Sequence, residues 1–339
     1  DDGDEGESVG VRTKLLVALL HRVLQKEGAI GAAAAGGDYE QAQLRLAASK
    51  ALLKSSRISD VKIKPSPAEA WRAIALTMQD EDASVREGLL HKLHRDMMRP
   101  WSMERKIARP GAPAHYNATR KAAPPMYNMA AYALAATDPK KEVRLQALAN
   151  LTAIADNTRK IATQHSRLVM MPEMQLPWLL SALAHSPDYE DDLARSFADA
   201  QRCVDLYVSA MIGKGATEFD LLGQIVGKVK RARPRPVAGV SGGVELQVIA
   251  DVASQVVLAR GRAFKWSEAF SVHEQITLPP ALFDPHAAPA VDKDYLPRGF
   301  ALSDAVGKGG AEKRRASGSA AAGGGGRASE GGGGVSAEK

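Results

Sequence analysis

Two stretches of the sequence, "DEDASVREGLLHKL" at residues 80–93 and "DPKKEVRLQALANL" at 138–151, share one pattern of residue types. Each begins with an aspartate, continues through four residues to a Val-Arg pair, and then places apolar residues at the same later offsets. The repetition predicts one structural unit that is used more than once along the chain. The matched pairs are Asp80 with Asp138, Val85 with Val143, Arg86 with Arg144, Leu89 with Ala147, Leu90 with Leu148 and Leu93 with Leu151.

The residues before the first stretch predict a helix that leads into it. Ser66 and Glu69 have the spacing of a capping box, and the proline between them suits the first helical position. The acidic run that follows predicts a turn, in which Asp80, Asp82 or Ser84 caps a second helix. The chain is therefore expected to form a helical hairpin here. The apolar face of its first helix carries Trp71, Ile74, Ala75 and Met78.

The same hairpin is predicted again around the second stretch. Apolar residues recur at helical spacing over 126–134 and over 143–154, which indicates two further amphipathic helices. Asp138 is expected to cap the second of these helices, with Pro139 at its first helical position.

Three approximate occurrences of the pattern are spaced at related intervals. Leu44-Arg45 lies 41 residues before Val85-Arg86, which lies 58 residues before Val143-Arg144. The longer interval contains a Pro- and Arg-rich insertion at 99–123 that lacks helical periodicity and has about the length of the excess. Without the insertion the period is about 40 residues, as in HEAT or armadillo units. The alternative interpretation is a chance recurrence of short helix-start patterns.

Hairpins of this size cannot bury their apolar faces alone, so each is expected to stack on the next. In such a stack the aspartate caps a helix start, the valine faces the neighbouring helix, and the arginine ties adjacent turns by charge-assisted hydrogen bonds. The predicted fold class is therefore all-α: an α-solenoid of HEAT- or armadillo-like helical hairpins with a disordered C-terminal tail.

The composition changes along the chain and predicts four regions. An acidic, disordered start is expected at 1–10, and a Gly/Ala/Ser-rich disordered tail at 301–339. The helical-repeat solenoid is expected to span 11–276, interrupted by the insertion at 99–123 and by a basic loop at 228–243. An irregular, Pro-rich cap is expected at 277–300.

Charge and cysteine content narrow the functional class. The net charge of +6 comes from two local stretches, 99–121 and 228–236, which contribute +5 each. The remainder of the chain carries a net charge of −4, so a uniformly cationic sleeve for nucleic acid is disfavoured. One cysteine, Cys203, excludes a disulfide framework and favours a reducing, intracellular compartment. No membrane span or signal peptide is expected, and the missing initiator Met indicates a segment of a longer protein.

The sequence contains no pattern that predicts a catalytic, cofactor or metal site. The stretch "GQIVGKV" at 223–229 resembles a phosphate-binding loop, but its spacing is one residue short and no strand precedes it. His91, His94 and Asp96 lie near one another on a predicted helix, where an exposed helical face is favoured over metal ligation. Cys203 is expected to be an inert core thiol. The acidic pair at 191–192 is expected to be a solvated turn.

Two features remain candidates for contact with partners. The first is a basic cluster in which prolines stiffen the chain. It could contact phosphates or a protein partner, although it lacks the interleaved aromatic residues of base readers, and a merely solvated loop is the alternative. The second is "KRRAS", which places Arg314 and Arg315 before Ser317 in a pattern that basophilic kinases accept, although such short patterns recur by chance. The basic cluster comprises Lys228, Lys230, Arg231, Arg233 and Arg235.

The stretch "PEMQLPWLLSALAHSPDY" at 172–189 resembles the C-terminal HEAT segment of the cohesin regulators called precocious dissociation of sisters, or Pds-five. Supporting matches lie in the same order on both sides of it. They are "LRLAASKALLKSSR" at 44–57, "VREGLLHKLH" at 85–94, "ALAATDPKKEVR" at 133–144 and "DKDYLPRGF" at 292–300. The insertion at 99–123 and the Gly-rich tail depart from the family pattern.

The resemblance implies a non-catalytic curved solenoid that binds the cohesin ring at its kleisin subunit and acts in the nucleus on chromatin. It also implies cooperation with the Wapl-type release factor and with the cohesin acetyltransferase, and hence roles in maintaining and dissolving sister-chromatid cohesion. The resemblance does not assign contact residues for these partners, because no motif in this sequence matches a known contact site of the family. The alternative function is another helical-repeat adaptor, such as a transport or phosphatase scaffold, that binds peptides on its concave face. Weak direct contact with DNA through the basic cluster is a third expectation.

Overall fold

The computed structural model is all-α, and no strand runs through the residues that it describes. Two short segments touch in a single antiparallel bridge between Pro234 and Phe283. The described residues are 2–31, 36–57, 66–107, 124–165, 171–185, 193–212, 217–235, 244–263, 276–284, 293–296, 300 and 302.

Helices occupy most of this part of the chain, and 3₁₀ turns lie at Thr77–Gln79, Met126–Thr137 and Pro172–Gln175. The α-helices are α1 (Asp2–Gln25), α2 (Asp38–Ser55), α3 (Pro67–Leu76), α4 (Ala83–Ile107), α5 (Lys141–His165), α6 (Leu176–Ala184), α7 (Leu193–Met211), α8 (Thr217–Arg231) and α9 (Val244–Ala263).

Consecutive helices pair into hairpins that stack in two layers, which is the arrangement of an α-solenoid. The first layer contains α1, α3, the Met126–Thr137 helix, α6 and α8, each in contact with the next. The second layer contains α2, α4, α5, α7 and α9, again in contact with their neighbours. Each hairpin thus buries its apolar faces against the hairpins beside it, as the repeat pattern predicts.

The start of α3 has the geometry that its sequence predicts. The Ser66 backbone N–H donates to Glu69 Oε2 at 2.7 Å, and the Glu69 N–H donates to Ser66 Oγ at 3.3 Å. This capping box satisfies two backbone donors and sets where the helix begins. The face that follows packs inward, with Trp71 2% and Ile74 1% exposed.

Aromatic rings join three successive hairpins near the centre of the stack. The ring of Trp178 on α6 lies edge-on to Trp71 on α3, with centroids 5.3 Å apart. The same ring stacks on Tyr127 at 4.2 Å, and Trp71 Nε1 donates to the Tyr127 carbonyl at 3.1 Å. Edge-on and stacked rings attract each other more strongly than the burial of their apolar area alone would give. This cluster therefore fixes how the three hairpins pack together.

The first helix of the third hairpin has a tighter form than the periodicity suggests. The sequence predicts a helix over 126–134, and the structure confirms one but winds Met126–Thr137 as a 3₁₀ helix. Its whole middle, Asn128–Ala136, is buried. The small alanine side chains let this helix lie deep between α3, α5 and α7.

Three predicted boundaries are wrong in the described residues. Residues 2–10, expected to be disordered, belong to α1. Residues 99–107, placed in a non-helical insertion, continue α4 to Ile107, because a strongly amphipathic helix already runs through residue 98 and Pro100 does not end it. Residues 228–231, placed in a loop, form the last turn of α8, where Val229 is fully buried and cations favour the helix C-terminus.

A C-terminal segment folds back on the stack, and the sequence did not reveal its anchoring contacts. The Tyr295 N–H donates to Asp251 Oδ2 on α9 at 2.8 Å. The ring of Phe300 lies edge-on to Phe197 on α7, with centroids 5.9 Å apart. Leu302, in the expected tail 301–339, packs against the core, and residues 303–339, including Ser317, lie outside the described residues.

Core and surface leucines should respond differently to substitution. Leu89 on α4 is fully buried, whereas Leu15 on α1 is 67% exposed. Leu89→Ala is expected to lower the free energy of unfolding by about 2–5 kcal/mol, because it opens a cavity between two repeats. Leu15→Gln, the matched control, should change it by less than about 0.5 kcal/mol. Denaturant unfolding followed by circular dichroism measures both, and equal effects would contradict the described stack.

Candidate protein-interaction surfaces

A buried ion pair links the turns of consecutive hairpins. Arg86 Nε donates to Asp138 Oδ2 at 2.6 Å, and the two side chains are 9% and 0% exposed. Arg86 Nη1 also donates to the carbonyls of Asp80 and Glu81, at 2.6 and 2.8 Å. One guanidinium therefore binds the turn of its own hairpin and the aspartate of the next, which confirms the predicted role of the arginine.

The preceding pair of hairpins repeats this contact. Arg45 donates from Nε and Nη2 to the two carboxylate oxygens of Asp80, at 2.6 and 2.9 Å. Its Nη1 donates to the carbonyl of Glu27 at 2.8 Å. The hydrogen bond to Asp80 raises the pKa of the Arg45 guanidinium above its usual value. Arg144 binds its own turn in the same way, through the carbonyls of Asp138 and Pro139. We call these linked contacts the Arg–Asp ladder.

The ladder aspartates shape turns, so Asp138 is not the predicted helix cap, and of the three residues predicted to cap α4 it is Asp82, not Asp80, that does so. Asp80 Oδ1 accepts from the Asp82 N–H at 2.9 Å, and Asp138 Oδ1 accepts from the Lys140 N–H at 2.7 Å. Helix α5 begins at Lys141, so Pro139 lies in the turn and not at the first helical position. The cap of α4 is Asp82, whose Oδ1 accepts from the Ser84 N–H at 2.7 Å. Hydrogen bonds from Ser84 lower the pKa of the Asp82 carboxyl.

Removing a ladder arginine should lower stability most where its ion pair is most buried. Arg86→Gln is expected to lower the free energy of unfolding by about 3 kcal/mol, because it leaves the buried Asp138 carboxylate without its cation. Arg45→Gln should cost less, because that pair is more exposed. Lys140→Gln is the control: it breaks the Lys140–Glu87 pair, whose side chains are 51% and 48% exposed, and should leave stability close to wild type. Urea titration of the three variants gives the ranking, and a Lys140 effect as large as that of Arg86 would contradict it.

An open groove of about 570 Å³ lies between α4 and α5. The two helices run in the same direction, since the Arg86–Asp138 pair joins their starts and Asn157 Nδ2 donates to Met98 Sδ further along. The groove is lined by Glu87, Leu90, His91, His94, Lys140, Glu142, Val143, Gln146 and Asn150.

The groove has a charged end and a neutral polar end. Lys140 Nζ lies 2.7 Å from Glu87 Oε1 near the helix starts. At the other end, Gln146 Nε2 donates to Asn150 Oδ1 at 2.7 Å. His94 is half-buried there, and burial and the neighbouring His91 lower its pKa, which favours the neutral imidazole. The sequence predicted an exposed histidine face but did not reveal the two amide residues.

The residues His91, His94 and Asp96 do not converge on one point. Asp96 is 3% exposed and forms ion pairs with Arg57 and Lys92, away from the groove that the histidines line. Within the described ranges, no three His, Cys, Asp or Glu side chains are grouped as a metal ion would require.

The five residues of the basic cluster have separate environments. Lys228 Nζ donates to the Ile276 carbonyl at 2.7 Å, and Lys230 Nζ lies 2.7 Å from Asp251 Oδ1. Arg235 Nε donates to the Phe283 carbonyl at 3.2 Å. Lys228 therefore fastens the segment after α9 to the stack, whereas Lys230 joins α8 to α9. Arg231, Arg233 and Arg235 are the exposed members.

The remaining predicted candidates have structural explanations or lie elsewhere. Cys203 is fully buried, and desolvation raises the pKa of its thiol far above the usual value, as expected for an inert core residue. The "GQIVGKV" stretch lies within α8, where helical bonding uses the backbone N–H groups that a phosphate loop would present. Asp191 and Asp192 lie outside the described residues. Across the described segments, every helix is too short or too polar to traverse a bilayer.

Comparison with known proteins identifies relatives across most of the stack. The chain is 23% identical over 255 residues to the human "Sister chromatid cohesion protein PDS5 homolog B", an alignment that covers 73% of this chain and 16% of the human protein. It is 27% identical over 176 residues to PDS5 homolog A-B of Xenopus laevis, covering 50% of this chain and 12% of that protein. It is 25% identical over 227 residues to PDS5 homolog A of Danio rerio, covering 64% and 15%.

The chain thus spans less than a fifth of the length of these relatives. A family model described as "Sister chromatid cohesion protein PDS5 protein" matches residues 3–284, which run from α1 through the segment that pairs with Pro234. The match therefore covers the stack, the Arg–Asp ladder and the groove. The chain belongs to the PDS5 family of sister chromatid cohesion proteins.

Proposed function

We propose that this chain is a non-catalytic, cohesin-associated scaffold that regulates the maintenance and release of sister-chromatid cohesion on chromatin in the nucleus. The observation that carries the proposal is the family match over residues 3–284, which coincides with the stacked hairpins. A stack of this kind offers a long surface on which partner proteins can bind. The side chains of its Arg–Asp ladder hold the turns together. Scaffolding needs such a surface and no reacting group.

The proposed partners are the cohesin complex through its kleisin subunit, a Wapl-type release factor and the cohesin acetyltransferase. The support for them is membership of a family whose members are named for sister chromatid cohesion. The alternative is a transport or phosphatase scaffold that binds peptides on its concave face. The groove between α4 and α5 is the specific feature that suits this second function.

Affinity purification from dividing cells tests the leading proposal. The protein, tagged and expressed at full length, is expected to co-purify with the kleisin and the other cohesin subunits, quantified by mass spectrometry against the tag alone. A Leu89→Ala/Leu93→Ala variant, which removes two fully buried leucines from one repeat, should lose this enrichment. Recovery of folded protein without any cohesin subunit would contradict the proposal, and dominant recovery of transport factors would favour the alternative.

We also propose a weak contact with DNA through the exposed arginines of the basic cluster. Arg231 is the last residue of α8, Arg233 follows it, and both are exposed near Arg235, whose Nε donates to the Phe283 carbonyl. Each cation that neutralises a phosphate releases counterions, so such a contact is sensitive to salt. Lys228 and Lys230 are left out of it because the Lys228 ammonium donates to the Ile276 carbonyl and the Lys230 ammonium pairs with the Asp251 carboxylate.

Salt-dependent binding to duplex DNA tests this contact. Arg231→Ala/Arg233→Ala is expected to weaken binding and to lower the slope of log affinity against log salt by about 1–2. Lys26→Ala/Lys54→Ala is the matched control, because it removes two exposed cations elsewhere and should leave the slope unchanged. Fluorescence anisotropy at several salt concentrations provides the slopes. Equal slopes for the wild-type chain and the arginine variant would remove the proposal.

A further inference from the structure

The dimensions of the groove between α4 and α5 suit a short stretch of extended chain. Its lining runs from Glu87 to His94 on α4 and from Glu142 to Asn150 on α5. At a helical rise of 1.5 Å per residue, these stretches are about 10 and 12 Å long. An extended chain advances about 3.3 Å per residue, so three or four residues fill the groove. The volume of about 570 Å³ is within the usual range for ligand sites.

The charged end of the groove complements a cation. Two carboxylates, Glu87 and Glu142, line this end with a single ammonium group, Lys140. The positive ends of the two helices do not reverse the balance, because the Asp82 and Asp138 carboxylates already accept from backbone N–H groups there. A Lys or Arg side chain from a partner would therefore balance the surplus negative charge.

The rest of the groove combines an apolar floor with two amide side chains. Leu90 and Val143 are 5% and 7% exposed and form the apolar part of the lining. Asn150 is only 4% exposed, yet its polar side chain also lines the groove. The bond from Gln146 Nε2 to Asn150 Oδ1 fixes both amides and directs the Asn150 NH₂ group and the Gln146 carbonyl to other partners.

The two amides suit a peptide main chain. Their mutual hydrogen bond leaves an N–H donor on Asn150 and a carbonyl acceptor on Gln146. An extended peptide presents both C=O and N–H groups along each edge, so this donor and this acceptor can bind one of each. At the same end, His94 Nδ1 is buried, and no hydrogen-bond partner for it is found in the part of the chain that the structure describes.

We propose that this groove binds an extended segment of a partner protein, three or four residues long, that carries a Lys or Arg and an apolar side chain. The cation faces Glu142 and Glu87, and the apolar side chain lies against Leu90 and Val143. The main chain is held by the amide side chains of Gln146 and Asn150. The proposal goes beyond cohesin association, because it gives the chemistry of a segment that any partner could present.

Nuclear magnetic resonance on the isotope-labelled chain tests the groove directly. The probes are the capped peptides Ac-Arg-Ala-Leu-Ala-NH₂ and Ac-Ala-Leu-Ala-Arg-NH₂, because the direction of the bound chain is open. The better of the two is expected to shift the side-chain amide signals of Gln146 and Asn150 saturably, with a millimolar dissociation constant. Replacing the peptide Arg with Glu should weaken binding about three- to fivefold or more, through lost charge complementarity.

Two surface variants separate specific binding from general adhesion. Gln146→Ala and Glu142→Gln alter exposed groove residues and should each weaken the Arg peptide about threefold. Leu145→Gln is the matched control on the same helix, since Leu145 is 55% exposed and lies outside the groove lining. Its affinity should equal that of the wild-type chain.

Three outcomes would overturn the proposal. One is the absence of any saturable shift up to about 20 mM of either Arg peptide. Another is equal binding of the Glu peptides, which would remove the charge argument. The third is equal or tighter binding of a single-stranded oligonucleotide at the same signals, which would identify a nucleic-acid site. None of these depends on cohesin, so failure here is distinguishable from failure of the purification experiment.

Discussion

The buried bond between Arg86 and Asp138 is the constraint on which the arrangement of the hairpins depends. Apolar burial drives the hairpins together but is not directional, so it tolerates small shifts of one helix along the next. A guanidinium that binds one carboxylate and two carbonyls tolerates much less, because its donors have a fixed geometry. The Arg45–Asp80 contact repeats the constraint one hairpin earlier. Together they set the register in which α2, α4 and α5 lie side by side.

The groove follows from this register. Because the starts of α4 and α5 are joined by the ladder, Glu87 and Lys140 meet at one end and the amide side chains lie together further along. The second layer thereby presents polar and apolar groups in a fixed pattern. In the basic cluster, Lys228 holds the segment after α9 and Lys230 pairs with Asp251 on α9, while the three arginines remain at the surface. A scaffold of this kind recognises partners through the arrangement of polar and apolar groups on its surface and not through a reacting group.

Local patterns in the sequence predicted much of the fold. The capping box at Ser66, the paired helices and the link between Arg86 and the next turn all follow from residue spacing. The exact role of Asp138 does not follow from residue spacing. The same aspartate could cap a helix or close a turn, and the sequence does not distinguish the two roles. The groove could not be predicted, since its two sides are separated by more than forty residues and meet only through the stack. The one usable signal was the recurrence of polar residues every three or four positions on each helix.

The most direct test of the account is a double-mutant cycle between Arg86 and Asp138. The free energies of unfolding of Arg86→Gln, Asp138→Asn and the double variant are measured by urea titration and compared with that of the wild-type chain. The double variant is expected to lose less stability than the sum of the two single variants, with a coupling of about 1.5–3 kcal/mol, because each single variant leaves one buried partner without its counter-charge. Additive losses, with a coupling below about 0.3–0.5 kcal/mol, would show that the two side chains do not depend on each other and would contradict the account.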